Sequence, residues 1–65
     1  MRKYGISYRY YDSNGIFKTV NITECIYDYN QAISLRAALV YQFGEYSTYG
    51  KYTINKFQID WYEIL

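Results

Sequence analysis

The chain of 65 residues has no histidine and a single cysteine, Cys25. Without imidazole, proton transfer near neutral pH would fall to carboxylates, lysines or tyrosines, whose ordinary pKa values lie far from 7. Asp12 and Glu24 can be paired on paper. No spacing sets two carboxylates around a nucleophile, however, and no Ser/Lys arrangement stands out. The acidic residues are scattered and form no Asp-x-Asp-x-Asp-Gly loop, and one thiol can make neither an internal disulfide nor a cysteine zinc site. The expectation is a protein that is not an enzyme, with no catalytic residue, cofactor or metal.

The residue types present point instead to recognition. Tyrosine occurs 11 times and proline never. Tyrosine is favoured at interfaces because its rigid ring is apolar and its hydroxyl polar. Read as alternating strands, the chain puts Arg9, Tyr11, Phe17, Thr19, Asn21 and Tyr62 on one side of a sheet, an expected partner-binding face with few charges. A second cluster, Tyr46 to Tyr52, has the Tyr, Ser, Thr and Gly of an adaptable binding loop, with Tyr46 and Tyr49 as candidate contacts. Arg36 falls in the middle of an apolar helical arc, where a guanidinium must reach outward or find a carboxylate such as Asp60 or Glu63. Arg36 and Cys25 are candidate subunit contacts. The bland alternative is that strands favour Tyr and Thr whatever their partners.

These residues need elements to hold them. Arg2 to Tyr11 alternates, with Tyr4, Ile6, Tyr8 and Tyr10 on one face, and Ile16 to Ile26 alternates likewise. A two-residue turn at Asn14-Gly15 would set apolar positions against polar ones. A three-residue loop, Ser13-Asn14-Gly15, pairs Tyr8 with Val20 and Ile6 with Ile22, and burial of one face selects it. Asp28 is a good N-cap, with Gln31 three residues on. Tyr29 to Phe43 is helix-friendly and Gly44 a suitable stop. Ala32, Ile33, Leu35, Leu39, Val40 and Phe43 share one arc. Glu45 to Lys51 reads as a loop. Tyr52 to Leu65 reads as strand whose apolar phase changes near Asn55-Lys56, through a bulge in one strand or a tight turn between two, the bulge being preferred. A right-handed crossover then gives an α+β domain spanning residues 1–65: ββαβ, a three-stranded antiparallel sheet of order 2-1-3, with one helix on one face. Its expected core is Ile6, Tyr8, Val20, Ile22, Leu35, Leu39, Phe43, Phe57, Ile59 and Trp61.

Tyr, Ile, Asn, Lys and Phe make up 30 of the 65 residues, which points to an AT-rich gene. The segments Tyr10-Tyr11-Asp12-Ser13-Asn14-Gly15 and Asp28-Tyr29-Asn30-Gln31-Ala32, a hairpin turn and a capped helix start, resemble those of very small phage and prophage proteins of low-GC Gram-positive bacteria. That resemblance covers only the turn and the helix start. It implies an inhibitor of a host enzyme or of a bacterial defence system, as anti-CRISPR proteins are, often acting as a homodimer. The expected partner is a host protein in the host cytoplasm. The alternative is a nucleic-acid-binding accessory protein that stacks bases on Tyr11, Phe17 and Tyr62, although a net charge of +1 offers a phosphate backbone little attraction. Neither a membrane span nor a secretory signal is expected: the longest aliphatic run is Ala37 to Val40, and no apolar stretch follows Arg2 and Lys3.

Overall fold

A computed structural model of the chain describes residues 2–63, with side chains described for 3–60. β1 (Arg2–Tyr11) and β2 (Phe17–Asn21) form an antiparallel hairpin in which Tyr8 faces Val20, the register that burial of one face demands. The turn explains its own geometry. The Asp12 carboxylate accepts from the Asn14 and Ile16 N–H groups, each at 2.9 Å. Gly15 takes φ +76° and donates to the Asp12 carbonyl at 2.9 Å. This is the type I turn with a left-handed glycine that a three-residue loop requires. Lys18 closes the arrangement with Nζ 3.3 Å from the Asp12 carboxylate.

Beyond Ile22 the second strand leaves the ladder. The Thr23 hydroxyl accepts from Ile6 N–H at 2.8 Å, and pairing resumes between Tyr4 and Ile26. The detour inserts two residues, so Ile26 returns on the same face as Ile22 and the apolar phase survives.

The helix α1 (Tyr29–Phe43) begins where the Asp28 carboxylate accepts from Asn30 N–H at 2.9 Å and ends at Gly44, φ +90°. Lys56 Nζ donates to the Phe43 carbonyl at 2.5 Å, placing a cation at the negative end of the helix.

The region read as a loop and a bulged strand is organised differently. β3 (Tyr46–Tyr49) and β4 (Tyr52–Asn55) form a second, two-stranded sheet, joined by Gly50 at φ +57° and Lys51. Glycine at the first central position of a two-residue turn suits a hairpin. β5 (Phe57–Glu63) then joins β1, giving the order β2-β1-β5. Only Lys56 separates β4 from β5, and its backbone serves both ladders. Its N–H donates to the Glu45 carbonyl at 2.9 Å, and its carbonyl accepts from Arg9 N–H at 2.7 Å. The phase change near Asn55-Lys56 is therefore the point at which one run of chain changes sheets.

The three-stranded antiparallel sheet with one helix is the α+β arrangement read from the sequence. The core is narrower than expected. Among the described side chains Ile6, Ala32 and Phe57 are buried and Tyr8, Leu39 and Ile59 half-buried, whereas Val20, Ile22, Leu35 and Phe43 are exposed; the Trp61 side chain lies outside the described residues. A helix about 10 Å across spans roughly two strands spaced about 4.8 Å apart. α1 lies on β5 and β1, and the apolar side of β2 is left open. The helix also turns Ala32 rather than Leu35 toward the sheet, with Phe43 meeting Phe57 at a ring separation of 6.3 Å.

Candidate functional site

Two groups of residues that lie apart in the sequence meet on one surface. Tyr11 and Phe17 are a cross-strand pair on the sheet face away from the helix, with ring centroids 5.7 Å apart. Tyr49 and Tyr52 are a cross-strand pair in the small hairpin. The hairpin leans onto the end of β1, bringing Tyr49 to 6.4 Å and Tyr52 to 5.7 Å from the Tyr11 ring. The result is a four-ring cluster over the first turn. Phe17, Tyr49 and Tyr52 keep 47%, 42% and 52% of their surface exposed. Gly15 belongs to the same structure, since a Cβ there would lie 2.7 Å from Tyr49 Cε1. Lys51 Nζ sits 5.6 Å from the Tyr52 centroid, within cation–π range.

Of the residues expected to bind a partner, Tyr11, Phe17 and Tyr49 join this cluster. Arg9 (half-buried), Thr19 and Asn21 (both exposed) continue the same face. Tyr46 does not join, because alternation along β3 puts it on the opposite side of the hairpin from Tyr49, paired with Asn55. The Tyr62 side chain lies outside the described residues. Tyr52, the last residue of the expected binding loop, joins as well, although only Tyr46 and Tyr49 are its candidate contacts. Its signal was the spacing Tyr49-Gly50-Lys51-Tyr52, in which a two-residue turn makes the flanking tyrosines partners.

The centre of this face is engaged internally. Ser7 is buried and donates to the Asp60 carboxylate, to which Gln58 Nε2 also donates at 3.4 Å. The surface open to a partner is thus the aromatic end and the β2 edge.

Arg36 solves its burial without a carboxylate. Its Nε donates to the Phe57 carbonyl at 2.9 Å. Asp60 could not serve, because even-numbered positions of β5 face away from the helix, while Glu63's side chain lies outside the described residues. Tyr29, Ile33, Arg36 and Ala37 of α1, with Asn55 and Phe57 to Ile59, line a groove of about 400 Å³ along this edge. Cys25 is half-buried and free, and hydrogen bonding to it raises the pKa of the Tyr27 phenol above its ordinary value. Among the described residues no helix is long and apolar enough to cross a membrane.

No family model, curated protein or solved structure matches the chain.

Proposed function

We propose that this chain is a non-enzymatic protein-binding module that covers part of a partner's surface with the Tyr11, Phe17, Tyr49 and Tyr52 cluster. The observation that carries this reading is the packing of three exposed rings, Phe17, Tyr49 and Tyr52, around the partly buried Tyr11, with centroids 5.7 to 6.4 Å from it. Rings already held by one another lose little freedom on binding, so their apolar area goes into affinity. The resemblance to small phage and prophage proteins favours an inhibitor of a host protein, acting in the host cytoplasm. The second reading, stacking of single-stranded nucleic acid, draws on the same rings and on Lys51 beside Tyr52. Lys18 lends it less support, being committed to Asp12.

The test is binding by wild type and by a Phe17→Ser/Tyr52→Ser variant to a partner recovered from host lysate and then purified. Loss of about 1 kcal/mol or more per truncated ring is expected, roughly 30-fold or more in affinity for the double variant, with Tyr41→Ser on the helix surface unaffected. Equal affinity of wild type and the double variant would remove the cluster from the function. Oligonucleotide binding that falls steeply with salt would select the second reading.

A further inference from the structure

The two edges of the main sheet are treated differently. In β1, Arg9 bonds toward Lys56 of the β5 side, so the odd-numbered residues of β1 pair with β5 and the even-numbered ones with β2. At the β5 edge, the outward-pointing Phe57 carbonyl is taken by Arg36 of the helix packed on β5 and β1. At the β2 edge, Asp12 N–H to Ile16 O and Ile22 N–H to Ile6 O fix the even positions as those bonded to β1. Phe17, Thr19 and Asn21 therefore turn their N–H and C=O groups outward, and every residue of β2 is exposed. The usual protections of a free edge are weak here: the chain has no proline, and the strand's one charge, Lys18, is drawn back to Asp12.

We infer that β2 pairs with β2 of a second copy of this chain, antiparallel, about a two-fold axis through Thr19. This register uses all three outward-facing residues of each strand, with Thr19 opposite Thr19 and Phe17 opposite Asn21 of the second copy. Each Lys18 meets Val20 of the other strand and not a second lysine. Sliding the axis to Lys18 would set the two ammonium groups face to face, and sliding it to Phe17 or Asn21 would shorten the overlap. Two three-stranded sheets become one of six strands, and the exposed Val20 side chains gain neighbours across the join. Both aromatic clusters then lie on one face, with the two Phe17 positions about 14 Å apart from strand spacing and rise. The pairing goes beyond the proposed partner binding and needs no partner to be observed.

Sedimentation velocity on the full chain from about 10 to 500 µM, with amide exchange at both ends of that range, tests the inference. The mass is expected to rise from 7.9 kDa toward twice that value. The Phe17, Thr19 and Asn21 amides should exchange about tenfold or more slowly at the high concentration. Val20→Lys, which sets lysine against lysine twice, and Thr19→Pro, which deletes an N–H that β1 does not use, should both stay monomeric with unchanged circular dichroism. Tyr41→Lys should dimerise like the wild type. If Thr19→Pro fails to fold, Val20→Lys and the exchange data still decide. A monomer across the whole range would overturn the inference, as would a dimer whose Thr19 amide exchanges equally fast at both concentrations.

Discussion

Asp12 does three things with one carboxylate: it bonds Ile16 N–H and Asn14 N–H and faces Lys18. The bond to Ile16 does most to hold its pKa below the ordinary carboxylate value. Lys18 and Asn14 add to it, and partial desolvation opposes it. A folded-state pKa below the unfolded one means that the stabilisation is present at neutral pH. It is lost as pH falls from about 4 through the depressed value. Acid titration should therefore loosen the first turn, and Asp12→Asn, which keeps an acceptor but no charge, should flatten that response in amide chemical shifts. Gly15 is the other sensitive position. Gly15→Ala adds the left-handed penalty of about 1–2 kcal/mol and pushes Tyr49 aside. Both a lower unfolding midpoint and a shift of the Tyr49 ring resonances are expected. A lower midpoint with an unmoved Tyr49 would show that turn and cluster are independent.

Among the elements, the first hairpin and the helix were legible because their signals are local. Asp12 with Gly15 specifies the turn, and Asp28 with Gly44 brackets α1. Asp28→Ala should cost about 1 kcal/mol of stability, measured by urea unfolding. The β3–β4 hairpin was not legible. Its strands are four residues long, and its tyrosines suit a binding loop equally well. The phase change at Lys56 is ambiguous for a related reason: it looks the same whether one strand bulges or two strands meet, and the structure has the less favoured alternative, two strands, here in different sheets. The structure gives Lys56 a further task at the end of α1, so Lys56→Met should lower helix stability by about 0.5–1 kcal/mol, seen as faster amide exchange in the last turn. Equal exchange in that turn would mean the ammonium contributes nothing there.

At the scale of the molecule, the buried apolar side chains among the described residues, Ile6, Ala32 and Phe57, form a small core. Domains of this size bury only about 60% of their unfolded surface, so stability is marginal. Ile6→Ala should cost about 2–5 kcal/mol, enough to leave much of the chain unfolded at 37 °C by calorimetry. Self-pairing through β2 would make the melting temperature rise with protein concentration, since a second copy binds only the folded state.

Alternation, turn chemistry and capping, each written into a few neighbouring residues, were enough to specify the hairpin register and the helix bounds, and the handedness of crossovers added the strand order. The site was half legible. Tyr11 and Phe17 follow from strand parity, but their meeting with Tyr49 and Tyr52 depends on where the small hairpin comes to rest. The exposure of Val20 and Ile22 depends on packing too, since it follows from a helix too narrow to cover three strands. Local signals act over a handful of bonds. Contacts between separate elements depend on the widths and bends of those elements, and these become definite only when the pieces pack.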